Sequence, residues 1–139
     1  MNMSENAMHK PKLLIIDDDP GIRTQLKWGL EGYDVITAES RSDAIEQINQ
    51  FHPPLVTLDL GLPPDADGTN EGFAILKEIM QKAPETKVVV VSGSQGSNNA
   101  EKARNNGAYE YFPKPVEIEQ LQQTMEKAYI EYEMADRLS

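Results

Sequence analysis

A few side chains in this chain have the types and the spacing to do chemistry together. Asp17, Asp18 and Asp19 follow the apolar run Leu13–Ile16, and Asp59 follows Leu55–Leu58. Ser92 closes Val88–Val91, and Lys114 comes just after Tyr109–Pro113 and before Pro115. Carboxylates, a hydroxyl and an ammonium are the parts that handle a phosphoryl group on a hard divalent cation. Singly, each has a plain structural explanation. An acidic triplet after a strand suits the positive end of a helix, and an aspartate two residues before Gly61 suits a turn. A serine can simply end a strand, and a lysine is usually a solvated charge. What gives them weight is that each stands at the end of a strand-sized apolar run.

The elements that must position them alternate regularly. Leu13–Asp17 reads as a buried strand. Asp19-Pro20 then reads as an N-cap with proline in the first turn, followed by Ile22, Leu26 and Leu30 at helical spacing and a stop at Gly32. Val35–Ala38 is a second strand, and Ser40 with Asp43 opens a second helix that ends before Pro53-Pro54. Leu55–Asp59 is a third strand, and Phe73, Leu76 and Met80 mark a third helix beyond a Gly/Pro/Asp loop. Val88–Ser92 is apolar on both faces, as a central parallel strand must be. Between Gly93 and Ala108 nothing apolar exceeds alanine in size, so a helix capped near Asn98 and ending by Gly107 would bury little and sit at the low-stability end of the molecule. Tyr109–Pro113 is a fifth strand, and an amphipathic helix runs from Ile118 to Leu138. Strand and helix in strict alternation predict a three-layer α/β/α sandwich with a parallel sheet. In such sheets the working crevice lies beyond the carboxyl ends of the strands, where the acids, the serine and the lysine fall.

Composition narrows the options. The chain has 139 residues, enough for one domain with its own core. It has no cysteine and two histidines, which excludes disulfides, thiol catalysis and the usual soft-ligand metal sites. Thirteen basic against twenty-three acidic residues leave a net charge of −10, which disfavours direct binding to nucleic acid or an anionic membrane. No apolar run is long enough to span a bilayer, and the N-terminal MNMSENAMHKPK has no signal-peptide core, so a cytoplasmic protein with a disordered leader over residues 1–11 is expected.

The stretches LLIIDDDP, TLDLGLPP, VVVVSGS and YFPKP, in this order, resemble the receiver domain of bacterial two-component response regulators (CheY-like) across about residues 11–130. The resemblance implies a flavodoxin-like sheet of order 2-1-3-4-5. It implies Asp59 as phosphoacceptor, an Mg²⁺ site (Mn²⁺ as a substitute) built from Asp17, Asp18, Asp59 and the Gly61 carbonyl, catalytic roles for Ser92 and Lys114, and Ser92 with Tyr111 as switch residues. It also implies a sensor histidine kinase as donor and a signalling domain rather than a turnover enzyme. The physics agrees: like charges 4 Å apart repel by about 4 kcal/mol at an effective dielectric of 20, and a divalent cation removes that cost. A cis Lys114-Pro115 bond is a further expectation from the resemblance.

LLIIDDDPGIRTQLKWGL and TLDLGLPPDADG are most similar to the N-terminal receivers of NtrC-type regulators of exopolysaccharide and PEP-CTERM systems. These act in transcription through further domains, so the chain is expected to be the receiver, residues 12–130, plus a helix extension, 131–139, toward an effector domain. Ile118, Leu121, Met125, Ala128, Tyr132 and Ala135 repeat at coiled-coil spacing, which suggests a homodimer through this helix or through the receiver surface. The loop PPDADGTNEG is longer than the family's usual connection, and Glu71-Gly72 is the preferred start of the third helix over Asp67-Gly68. Asp65-x-Asp67 does not continue as a calcium loop, because Asn70 stands where glycine is needed and Leu76 where the closing glutamate would be. Three other readings are weaker. A dehalogenase-like phosphatase would need Thr or Val at Gly21, a phosphorylation-independent pseudo-receiver would have no use for the acids and lysine, and a nucleotide-binding domain would need a glycine-rich loop after the first strand.

Overall fold

A computed structural model describes residues 9–65, 68–93 and 98–138. Five strands, β1 (Lys12–Ile16), β2 (Asp34–Ala38), β3 (Leu55–Leu58), β4 (Lys87–Ser92) and β5 (Glu110–Pro113), form one sheet of order β2-β1-β3-β4-β5. Every neighbouring pair is parallel, with Leu13 opposite both Val35 and Leu55, Val56 opposite Val88, and Val90 opposite Tyr111. Five helices connect them: α1 (Pro20–Gly29), α2 (Arg41–Phe51), α3 (Asn70–Lys82), α4 (Asn99–Asn105) and α5 (Ile118–Leu138). The expected layers and strand order are therefore present, with strand ends within one residue of the apolar runs.

Because side chains alternate along a strand, each strand feeds two cores. Leu14, Ile16, Val56, Leu58, Val88 and Val90 pack under α2, α3 and α4. Leu13, Ile15, Leu55, Val89 and Val91 pack under α1 and α5. This double burial is why the strands read as continuous apolar runs. Burying each such side chain contributes about 1.5–3 kcal/mol, so the sheet is a stiff platform for the loops at its ends.

Helix boundaries follow local chemistry. Asp19 caps α1 by accepting hydrogen bonds from the amides of Gly21 at 2.8 Å and Ile22 at 3.4 Å. Ser40 caps α2 through the Asp43 amide, while Asp43 accepts from the Glu39 amide in return. α2 ends on His52, at φ 47°, a left-handed position that the sequence did not announce. α4 is thinly anchored, as its composition requires: Ala103 is its one buried residue. Residues 94–97, which belong to the weakly anchored stretch, lie outside the described residues, as do Asp67 and residues 1–8 of the expected leader. Lys10 and Pro11 make contacts of their own, Lys10 with the Glu31 carbonyl and the Pro11 carbonyl with the Asp34 amide.

The helix α5 corrects part of the coiled-coil expectation. Leu121, Met125 and Ala128 are wholly buried against the sheet, and Ile118 packs on the same core. These positions of the apolar stripe are thus used within the chain and are not open to a partner. Tyr132 is half-buried and Ala135 exposed, and among the described residues the large apolar side chains that α5 leaves exposed are Ile130 and Met134. Lower on the helix, the Tyr109 hydroxyl donates to Glu131; burial and then this carboxylate push the Tyr109 phenol up to about 12. No helix among the described residues is long and apolar enough to cross a membrane.

Candidate functional site

The carboxyl ends of β1, β3, β4 and β5 meet at one crevice. Asp17 follows β1 and is still hydrogen-bonded to the sheet, its amide donating to the Ala38 carbonyl at 3.1 Å. Asp59 follows β3, and its amide donates to the Ile16 carbonyl at 2.9 Å. The Lys114 amide donates to the Ser92 carbonyl at 2.9 Å, which brings the residue after β5 against the end of β4. Backbone pairing thus places all four of these residues before any side chain is considered.

The side chains then converge. One oxygen each from Asp17, Asp18 and Asp59 lie within 4.8 Å of one another. Asp17 is 2 % exposed and Asp59 7 %, whereas Asp18 sits on the open side of the group. Asp17 accepts the Asp19 amide at 3.0 Å, and Asp59 accepts the Gly61 amide at 3.3 Å. The Lys114 ammonium bridges the two buried acids, 2.9 Å from Asp17 and 3.4 Å from Asp59. The structure also divides the acidic triplet: Asp19 is exposed and spent on capping α1, while Asp17 and Asp18 face the crevice.

Electrostatics follow from this burial. Asp59 holds its proton more tightly than an ordinary aspartate, first because it is buried and second because Asp17 is beside it; Lys114 and the Gly61 amide offset only part of this. Burial works to lower the Lys114 pKa, but the hydrogen bond and charge of Asp17, with those of Asp59, outweigh it and raise the value. The ammonium is therefore firmly charged.

Ser92 is buried, at 1 % exposure, at the end of β4. Gly61 is buried in the turn after Asp59. Tyr111, on β5, is half-buried against the core under α2–α4. The Lys114–Pro115 bond is cis, as expected, and so is Pro63–Pro64, which was not expected. In the long loop, Glu71-Gly72 occupies the first turn of α3, as preferred, and Asp65 accepts the Asn70 amide at 3.1 Å at the helix entry.

Residues 13–126 match the response regulator receiver domain. The chain belongs to this family. Among curated relatives, this receiver is 32 % identical over 123 residues to the transcriptional regulatory protein GlrR of Escherichia coli K12. It is 27 % identical over 128 residues to the transcriptional regulator NtrC of the same strain. It covers 86 % and 91 % of itself in those matches but spans only 27 % and 26 % of the length of these two relatives. With the chemotaxis protein CheY of Listeria monocytogenes it shares 31 % identity, covering 84 % of this chain and 97 % of that one. Among solved structures, a CheY-like receiver from Methanospirillum hungatei superposes with a TM-score of 0.82 at 28 % identity, covering 91 % of this chain and 99 % of that one. The NtrX receiver of Brucella abortus gives 0.75 at 34 % identity, covering 84 % and 96 %. Family membership removes the dehalogenase-like and nucleotide-binding readings.

The receiver's donor set suits a hard cation. It is all carboxylate oxygen, closely grouped and partly buried, with like charges that Lys114 alone cannot balance. One contributor had no local signature. The Arg23 guanidinium, on α1, donates to the Asp17 carbonyl oxygen at 2.8 Å and lies 3.6 Å from Glu39, just past β2. An arginine six positions after an aspartate has no meaning until the helix folds back over the strand end.

Proposed function

We propose that this receiver is a phosphorylation-controlled switch that takes a phosphoryl group from a sensor histidine kinase onto Asp59. The observation that supports this is the convergence of Asp17, Asp18 and Asp59 on one crevice with Lys114 bridging the two buried acids. Asp17, Asp18, Asp59 and the Gly61 carbonyl would hold Mg²⁺, with Mn²⁺ as a substitute. When bound, the cation neutralises charge on the phosphoryl oxygens and on the acids.

The chain's own residues supply the rest. An oxygen of Asp59 attacks phosphorus in line, the P–N bond of the donor phosphohistidine breaks with its electron pair going to the imidazole, and a P–O bond forms to give an acyl phosphate. The burial that raises the pKa of Asp59 also leaves its carboxylate poorly solvated, which makes it a better nucleophile than a solvated aspartate. Lys114 is positioned to move its charge from the carboxylates to a phosphoryl oxygen. Ser92, at the adjacent strand end, would donate its hydroxyl to the same group, drawing in the segment after β4. Tyr111 on the neighbouring strand would then re-pack toward the space that segment leaves. The thin anchoring of α4 suits it to respond. The domain turns over no substrate in this reading.

The similarity to GlrR and NtrC supports an output in transcription through parts of a longer protein. In this reading the protein acts in the cytoplasm and dimerises through the receiver surface or α5, and the net charge of −10 argues against nucleic-acid contact by the receiver itself. Intact-mass measurement after incubation with acetyl phosphate and Mg²⁺ tests the reading. One added phosphoryl group in the wild type and none in Asp59→Asn is expected; labelling that survives Asp59→Asn would show the acceptor to be another residue.

A further inference from the structure

In an extended strand, successive side chains point to opposite faces. Asp17 and Asp18 are successive, yet their carboxylates share one crevice with Asp59. The chain must therefore leave strand geometry between them, and the orientation of the Asp17–Asp18 peptide decides where the Asp18 carboxylate goes.

The other two acids have supports of their own. Asp17 is held by the Asp19 amide and Lys114, and Asp59 by the Gly61 amide and Lys114. The Asp18 carboxylate has no hydrogen bond or ion pair among the described residues. Its placement rests on its backbone. The carbonyl of the peptide that precedes it is Asp17's, and Arg23 Nη1 donates to that oxygen at 2.8 Å.

Arg23 is itself well fixed. Its amide makes the first helical hydrogen bond of α1, to the Asp19 carbonyl at 3.0 Å. Its Nη2 lies 3.6 Å from Glu39, and its side chain is 20 % exposed. The planar guanidinium thus spans the carbonyl at the end of β1 and the acid just past β2. A single-point ammonium cannot reproduce that span.

We infer that Arg23 is a positioning residue for the cation site, locking the Asp17–Asp18 peptide so that the Asp18 carboxylate joins Asp17 and Asp59. The inference rests on the cation site of the proposed function. It also predicts a sign opposite to simple electrostatics. A guanidinium near a cation site repels the cation, so loss of its charge alone would tighten Mg²⁺ binding. Loss of a positioning contact weakens it, and supporting contacts of this kind are typically worth about 10- to 100-fold in metal affinity.

The test is Mg²⁺ titration by calorimetry, with the Mg²⁺-dependent rise in Tm as a second readout, on wild type, Arg23→Ala and Arg23→Lys. The Tm without added metal reports any general loss of folding separately. Arg23→Ala is expected to bind Mg²⁺ at least about tenfold more weakly, and Arg23→Lys to recover only part of the loss. Wild-type or tighter affinity in either variant overturns the inference. If Arg23→Ala does not fold, Arg23→Lys carries the test by the same criterion. A wild-type protein that binds no Mg²⁺ would instead remove the cation site itself, and this inference with it.

Discussion

The Lys114 ammonium is closer to Asp17, at 2.9 Å, than to Asp59, at 3.4 Å. The lysine therefore does not simply attend the proposed phosphoacceptor. It neutralises the two buried acids together, in the place where a divalent cation would do the same. Lysine and cation must then compete for Asp17. Lys114→Ala is expected to tighten Mg²⁺ binding at least about fivefold, since even fully water-screened charges 4 Å apart interact by about 1 kcal/mol. The same variant should lose labelling by acetyl phosphate. Calorimetric titration reads the first effect; unchanged or weaker Mg²⁺ binding would show that the lysine assists the cation rather than opposing it.

Asp59 carries a cost that depends on pH. Its folded pKa is raised, by burial and then by Asp17, so the folded protein binds this proton more tightly than the unfolded chain does. Above the folded value the ionised carboxylate costs stability. As pH falls through that value the cost disappears, and below the ordinary aspartate value no further change comes from this group. Lys114 stays charged throughout this window because its own pKa is raised, so it adds no pH dependence there. Without added metal, Asp59→Asn should melt at a higher temperature than wild type at neutral pH, with the difference narrowing as pH falls. A gap that widens on acidification would contradict the balance of forces described for Asp59.

How much of this was legible in the sequence differs from residue to residue. The strands were readable because each is buried on both faces, leaving apolar runs that end where the sheet ends. Asp59, Ser92 and Lys114 were readable for the same reason, as polar residues at those ends. Asp19 is legible as the cap of α1 because Pro20 follows it in the first turn, and the structure gives it that role. The apolar stripe on α5 is plain in the sequence, but spacing alone cannot say whether Leu121 and Met125 face a sheet or a partner helix. Arg23 was invisible because its contacts, to Asp17 and Glu39, arise from helix packing and not from a local pattern.

Thr57 lies in the middle of β3, 1 % exposed, and its hydroxyl has no hydrogen-bond partner among the described residues. Its sheet neighbours at the same level are Ile15 and Val89. A buried hydroxyl left without a partner costs about 1–3 kcal/mol. Thr57→Val keeps the shape and removes that cost, so it should stabilise the domain by about 1 kcal/mol, or roughly 3 °C in Tm. Two residues ahead of Asp59 on the strand, the change should leave phosphoryl labelling intact. Destabilisation of similar size would mean that a buried water satisfies the hydroxyl.

Gly72 pins the start of α3 against the turn that holds the crevice. Its amide donates to the Leu60 carbonyl at 3.1 Å. A Cβ at this position would lie 2.3 Å from the Leu60 Cα and 2.6 Å from its carbonyl oxygen, closer than atoms can approach. The obstructing atoms are backbone, so no side-chain movement relieves the overlap. Leu60 joins Asp59 to Gly61, and a shift there would move both the acid and the amide that supports it. Gly72→Ala should therefore lower stability by about 1–3 kcal/mol, the usual cost of overpacking, and weaken Mg²⁺ binding as well. Gly32 offers the control, since a methyl group there would meet nothing within 4 Å and Gly32→Ala should be near neutral in both assays. Equal behaviour of the two variants in chemical denaturation would show that α3 does not rest on Leu60 as closely as the distances require.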